Sequence, residues 1–236
     1  MPDAIQYRLE DEVAVLDFDD GKANALTPAA LTSLTEGLVR AKDEASAVVI
    51  AGRPGRFCAG FDLKIMGSGA EAAVALVTTG CNALLNLYEH PQPVVAACTG
   101  HAMAGGAVLL LCSDHRVGAE GDFSIGLNEV KIGMPVPIFV SELARERLST
   151  TARNPAILMS RVYSPAAAAA CGFLDELTSP ESVVPQAIAR AQQLAEGLDA
   201  AAFASTKKSL RDPLIQHVRG TLDDDMKRVV RDGTMF

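Results

Sequence analysis

The sequence lacks an excess of positive charge. Its 236 residues carry 21 Lys and Arg against 29 Asp and Glu, which gives a net charge of −8 and a pI near 5.0. A general nucleic-acid binder needs a basic face, so nucleic acid is not an expected partner. The charge does not exclude a small anionic ligand, because a few local cations and helix N-termini are enough to hold one.

The chain also lacks long apolar runs, a recognisable secretory signal and a cysteine framework. Its longest strongly apolar runs, AMAGGAVLLLC and SPAAAAACGFL, are too short to cross a bilayer, and no membrane association is expected. Five scattered cysteines, at positions 58, 81, 98, 112 and 171, have no metal-ligand spacing. We therefore expect buried, reduced thiols, no metal site and a cytoplasmic location.

Predicted strands and helices alternate along the first 138 residues. Strands are predicted over residues 4–10, 12–18, 47–52 and 93–98. Helices are predicted from Pro28 with Thr27 as the N-cap, over 71–89, and from Gly105 or Gly106. This order is typical of an α/β fold with a parallel sheet and crossover helices. The remainder is predicted to be largely helical, with two charged helices in the tail that are separated near Pro213.

Two glycine-rich loops each join a buried strand to a helix, GRFCAGFDLK at 55–64 and GHAMAGG at 100–106. Small residues let the backbone approach a ligand closely. A helix start also offers free N–H groups and the positive end of a dipole, so two such ends facing each other could hold an oxygen that bears negative charge. The alternative is that both loops are only tight turns, because a lone glycine pattern is a weak signal.

Three segments together carry a more specific signal: RFCAGFDLKIM, GHAMAGGAVLLLCSDHRV and FSIGLNEVKIGMPVP. In order and spacing they resemble the enoyl-CoA hydratase/isomerase (crotonase) superfamily, and the resemblance covers most of the chain. It implies a ββα spiral core over residues 1–190 and a C-terminal helical trimerisation region over 191–236. It also implies an acyl-CoA thioester as substrate, no cofactor beyond the CoA of that substrate, and a homotrimer or dimer of trimers.

The resemblance assigns candidate site residues. In relatives, two backbone N–H groups bind the thioester carbonyl oxygen and stabilise an enolate-like oxyanion, and the matching positions are Phe61 and Gly105. The resemblance places eight further residues at the substrate: Lys22, Ala23, Ala59, Asp62, Leu63, Lys64, Gly106 and Val108. Lys22 and Ala23 match the segment beside the adenine of CoA. Lys207 and Lys208 are further candidates for contact with the CoA phosphates.

Glu129 is the candidate catalytic acid/base. Hydratases of the superfamily hold water between two glutamates, but the first of these positions is Val108, which cannot exchange a proton. The IGLNE segment resembles the Δ3,Δ2-enoyl-CoA isomerase branch, in which one carboxylate moves a double bond. An apolar surrounding would raise the pKa of Glu129 and make it a stronger base. The alternatives are a hydratase, a non-catalytic acyl-CoA binder, or a glutamate that only caps a turn or pairs with Lys131.

Overall fold

The computed structural model describes residues 4–233. The strands are β1 (Ile5–Glu10), β2 (Val13–Phe18), β3 (Ala25–Leu26), β4 (Ala47–Gly52), β5 (Gly55–Cys58), β6 (Gly60–Phe61), β7 (Val94–Cys98), β8 (Gly100–Met103), β9 (His115–Ala119), β10 (Ile125–Gly126) and β11 (Glu176–Thr178). The helices are α1 (Pro28–Glu44), α2 (Leu63–Met66), α3 (Ala70–Tyr88), α4 (Gly105–Cys112), α5 (Ile138–Arg147), α6 (Thr150–Ile157), α7 (Pro165–Cys171), α8 (Val183–Gly197) and α9 (Ala200–Asp232). Short 3₁₀ turns occupy Val130–Ile132 and Pro180–Ser182.

The chain winds as a repeated ββα spiral, as the resemblance implies. A six-stranded sheet has the order β1-β2-β4-β7-β9-β11 and is parallel except for the β1–β2 pair. The strands β5, β8 and β10 follow β4, β7 and β9 respectively, and they form a second, parallel sheet. Helices follow each of these strand pairs, so successive turns of the spiral bring the ends of the second-sheet strands together.

The four inner strands of the six-stranded sheet, β2, β4, β7 and β9, are buried on both faces because they alternate two sets of apolar side chains. On one face, Val15, Val49 and Val95 pack against α8. On the other, Leu16, Ile50 and their neighbours join the larger core formed with α1, α3 and α4. All five cysteines are free and buried, as predicted.

Helix α3 is long and apolar enough, by length and composition, to cross a membrane. Its 19 residues contain a window with mean hydropathy 1.3, half of which is buried in the fold. Core helices meet the same criterion, and Leu76, Leu84 and Leu87 of α3 lie in the main hydrophobic cluster. The criterion is therefore weak evidence for a membrane span.

The prediction of two tail helices separated near Pro213 is wrong, because α9 runs through that residue without a break. An interior proline removes one backbone hydrogen bond and costs about 3 kcal/mol. Leu214, Ile215 and Val218 are buried directly after it, and burial of each such side chain contributes about 1.5–3 kcal/mol. Packing against the core therefore outweighs the local preference.

Two other observations concern the C-terminal part of the chain, which the sequence predicts to be largely helical. Strand β11 pairs in parallel with β9 and adds an edge strand to the large sheet. The boundary predicted at residue 190 lies inside α8, whose buried side packs against that sheet. The division of the chain into units at 1–190 and 191–236 stays a prediction.

Candidate functional site

The two glycine-rich loops meet where β6 ends and α4 begins. Leu26 is the register partner of Phe61, and the Asp62 N–H donates to the Leu26 carbonyl oxygen at 3.4 Å. Since successive amides of a strand point to opposite sides, the Phe61 N–H points away from β3. Gly105 is the first residue of α4, and its N–H has no acceptor within the helix. A Cβ added to Gly105 would lie 3.7 Å from Phe61 N, so the two candidate donors adjoin.

Close contacts hold the start of α4 against the first loop. A Cβ on Gly106 would lie 2.1 Å from the Cys58 carbonyl oxygen, so only glycine fits here. Ala104, which precedes the helix, has φ 48° and ψ −120°, a backbone conformation that a non-glycine residue rarely adopts. Such strain costs on the order of 1–3 kcal/mol and is concentrated at functional sites.

The loop that carries Glu129 starts on the backbone of the second donor loop. Strand β10 pairs with β8 so that Gly126 is opposite Met103, and the Ala104 N–H donates to the Gly126 carbonyl oxygen at 2.9 Å. Glu129 follows three residues later, at the start of the 3₁₀ turn. The candidate acid and the Gly105 donor are thus connected through one backbone hydrogen bond.

The Glu129 side chain is buried and has no protein partner for Oε2. The residue is 2% exposed, and it makes no side-chain capping bond to the turn that follows it. Lys131 is exposed, and no ion pair joins these two described residues. The interpretation of Glu129 as a turn cap or as the ion-pair partner of Lys131 is therefore wrong.

Burial raises the pKa of Glu129 from 4.5 to about 7. A carboxylate that loses its hydration without gaining an ion pair is destabilised, so the proton is held more tightly. A group with a pKa near neutrality can both accept and return a proton, as general acid–base chemistry requires.

Helix α4 supplies no second acid. All eight of its residues are buried, and they are apolar or glycine. Val108, at the position of the first hydratase glutamate, is 1% exposed. The site therefore has an apolar wall where a two-glutamate enzyme would have a carboxylate.

The side chain of Phe61 points toward α3. A Cβ built on Gly80 of α3 would lie 2.3 Å from Phe61 Cε1 and 2.4 Å from Cζ. The ring therefore fills a notch that exists only because residue 80 has no side chain. It packs at the border of the main hydrophobic cluster, and this packing fixes the residue whose amide is the first candidate donor.

Ala23 and Ala59, two of the predicted substrate residues, line one surface cavity of about 290 Å³. The Ala59 N–H donates to the Ala23 carbonyl oxygen at 3.1 Å, which brings the segments together. The other lining residues are Arg56, His101, Met103, Ser124 and Val162. Lys22 is exposed beside Ala23. This cavity therefore lies at the end of the donor loops and carries a cationic side chain.

The residues that follow Phe61 form a short, partly exposed helix. Asp62 caps it, with its Oδ1 accepting from the Lys64 and Ile65 amides at 2.8 and 3.3 Å. Leu63 is 64% exposed, and Lys64 is also exposed. Asp62 thus serves the local backbone, while Leu63 and Lys64 present their side chains to solvent.

Lys207 was a candidate for contact with CoA phosphates, but its ammonium group is buried and already paired. It is 6% exposed, and its Nζ donates to Asp114 Oδ2 at 2.6 Å. Arg211 donates to Oδ1 of the same carboxylate at 2.7 Å. Both cations attach α9 to the core, whereas Lys208 is exposed.

Three residues that matter for the geometry were not found from the sequence. Gly80 could have been noticed as an isolated glycine inside a helical pattern, which often has a packing reason. Asp225 of α9 is buried and forms an ion pair with Arg228. Both residues lie in a charged tail segment that is typical of a solvated helix face. Nothing in the local sequence distinguishes Asp225 from the aspartates beside it.

Within residues 4–233, no group of three or more His, Cys, Asp or Glu side chains is arranged to hold a metal ion.

The ββα spiral and the two adjoining glycine-rich loops are the features of the crotonase fold. A family model described as enoyl-CoA hydratase/isomerase matches residues 8–227. A solved structure of an enoyl-CoA hydratase/isomerase family protein from Pseudomonas syringae is 38% identical, covers 96% of this chain and 98% of its own, and superposes with a TM-score of 0.93.

Curated relatives include both activities. Human mitochondrial enoyl-CoA delta isomerase 1 is 28% identical over 90% of this chain and 76% of the relative. A putative enoyl-CoA hydratase from Thermus thermophilus is 32% identical over 78% of this chain and 75% of the relative. The chain belongs to the enoyl-CoA hydratase/isomerase family, which acts on acyl-CoA thioesters.

Proposed function

We propose that this protein is an enoyl-CoA isomerase that converts a 3-enoyl-CoA thioester to a 2-enoyl-CoA thioester. The double bond between C3 and C4 moves to the position between C2 and C3. One observation carries the proposal: Glu129 is a buried carboxylate without an ion-pair partner, and its loop is bonded to the loop of the paired amides. Asp225, the other buried acid of residues 4–233, is paired with Arg228. At the position of the first hydratase glutamate the chain has Val108, so no second acid is available there to hold water.

In the proposed reaction, the Phe61 and Gly105 N–H groups donate to the thioester carbonyl oxygen. The Glu129 carboxylate removes a proton from C2, and the electron pair of the C2–H bond moves into a dienolate whose oxygen bears the negative charge. The same carboxyl group then returns a proton to C4, which leaves the double bond between C2 and C3. Each backbone donor is worth about 3 kcal/mol of transition-state stabilisation.

The cavity lined by Ala23 and Ala59 supports the proposal that the substrate is attached to an anionic carrier such as CoA. Arg56 lines it and Lys22 lies next to it, and cationic side chains form strong hydrogen bonds to phosphate. In this proposal the reaction needs no cofactor beyond the CoA of the substrate. Assembly as a homotrimer or a dimer of trimers is part of the same proposal.

Glu129→Gln tests the role of the carboxyl group with little change of shape. We expect isomerisation of a 3-enoyl-CoA to fall by about 10²–10⁴-fold, the usual contribution of one positioned acid–base group. Glu196→Gln, which changes an exposed acid on α8, is the matched control and is expected to keep the wild-type rate. A normal rate for Glu129→Gln would refute the assignment.

A panel of 2-enoyl and 3-enoyl thioesters in D₂O separates the competing functions. Isomerisation with deuterium incorporation supports the proposal. Hydration of 2-enoyl-CoA faster than isomerisation would instead identify a hydratase. Tight acyl-CoA binding without turnover and without exchange at C2 would identify a non-catalytic binder.

A further inference from the structure

The segment that follows Glu129 folds back on that residue. The Glu129 carbonyl oxygen accepts from the Ile132 and Met134 amides at 3.1 and 2.9 Å. Pro135 and Pro137 follow, and proline fixes the backbone angle φ. These hydrogen bonds and the two prolines restrict the backbone between Glu129 and the end of this segment, so we expect a displacement of that end to reach Glu129.

Two side chains of α9 hold the end of this segment. Asp225 Oδ2 accepts from the N–H of Ile138, the first residue of α5, at 2.6 Å. Arg228 Nη2 donates to the Val136 carbonyl oxygen at 2.9 Å. Arg228 also donates to Asp225 Oδ1 through Nε and Nη2, at 3.0 and 2.6 Å. Asp225 is 4% exposed, and we call this pair the α9 clasp.

We propose that the α9 clasp positions Glu129 for proton transfer, which makes Asp225 and Arg228 positioning residues of the reaction. This inference rests on the proposed function. The near end of the Glu129 loop is bonded to the donor loop through Gly126, and the clasp holds its far end. Proton transfer requires the base within hydrogen-bond reach of the carbon acid, and a misplacement of 1 Å can cost about 100-fold in rate.

Other side chains of α9 attach this helix to the core independently of the clasp. Lys207 and Arg211 already pair with Asp114 on the core, and Arg219 donates to Glu89 at 2.6 Å. A buried ion pair is by itself weak evidence for stability. The clasp differs from these contacts because it bonds both an amide and a carbonyl group of the segment that carries the acid.

The pH dependence of turnover separates positioning from a general loss of folded protein. In Asp225→Ala and Arg228→Met, we expect kcat to fall by about 10- to 100-fold, with KM changed by less than about threefold. A loosened loop also admits water to Glu129, so the acidic limb of the kcat/KM profile, which reports the free enzyme, should move from about pH 7 toward lower pH. Arg219→Met should change neither, and a uniform loss of kcat without movement of the limb would contradict positioning.

Carboxyl ¹³C NMR of the unligated protein gives a readout that does not depend on the reaction. The Glu129 signal is assigned from its loss in Glu129→Gln. Burial raises the pKa of this group, and no charged side chain contributes to the increase, so water entry should lower its titration midpoint in the clasp variants and not in Arg219→Met.

Asp225→Asn, which keeps the side-chain shape, serves if Asp225→Ala does not fold. A wild-type midpoint in both Asp225→Asn and Arg228→Met would overturn the inference. Absence of isomerisation by the wild type would refute the proposed function, and the midpoint would still test whether the clasp controls the surroundings of Glu129.

Discussion

Replacing Glu129 with glutamine should make the protein more stable at neutral and alkaline pH. The folded chain holds this proton up to about pH 7, whereas the ordinary pKa is 4.5. Below pH 4.5 the group is protonated in both states and carries no penalty. Between these values the unfolded chain releases a proton that the folded chain retains, so the free energy of unfolding falls as pH rises. The full penalty, present above pH 7, is about 3 kcal/mol.

Urea denaturation of the wild type and Glu129→Gln measures this penalty directly. At a pH of about 8 the variant should gain about 3 kcal/mol, and at a pH of about 4 it should gain almost nothing. For a chain of this length the gain corresponds to an increase in Tm of roughly 6–12 °C. Glu196→Gln controls for the removal of one negative charge. An equal gain at both pH values, or none at either, would refute the argument that burial of the carboxylate is the cause.

Two further substitutions test the packing of Phe61 and the attachment of α9. Gly80→Ala places a methyl group where the Phe61 ring lies, so it should lower the free energy of unfolding by about 1–3 kcal/mol. Phe61→Leu removes the ring that this methyl group overlaps, so a double-mutant cycle should show that Gly80→Ala costs much less in that background. Asp114→Asn leaves Lys207 and Arg211 buried without a carboxylate, so denaturation should show a loss of about 3–5 kcal/mol; a loss under about 1 kcal/mol would mean that α9 does not depend on this pair.

Much of the core was predictable because its elements are long and their apolar residues follow one period. The strand over 47–52 and the helix over 71–89 were predicted within one residue of their observed bounds. Thr27 accepts a hydrogen bond from the Ala30 amide, as its predicted role of N-cap requires. These features depend on residues that are close in the sequence, so local rules are sufficient.

The contacts that shape the site depend on residues that are distant in the sequence. The Phe61 ring takes its orientation because Gly80 lies on the facing helix, and no local pattern around Phe61 indicates this. Similarly, only one aspartate of the DDD run at 223–225 faces α5, since successive residues of a helix are rotated by about 100°. Tertiary packing selects that residue.

The continuity of α9 through Pro213 constrains the length of the helix as well as its composition. Lys207 and Asp225 are 18 positions apart, which is five helical turns and about 27 Å. Both side chains therefore lie on the same face of one continuous helix, the face that packs against the core. Inserting one amino acid between Arg211 and Asp225 would rotate the distal part by about 100°, leaving the attachment at Asp114 intact while turning Asp225 away from α5. If the α9 clasp positions Glu129 as proposed, a change far from the substrate would then misplace this carboxyl group without altering any residue that contacts it.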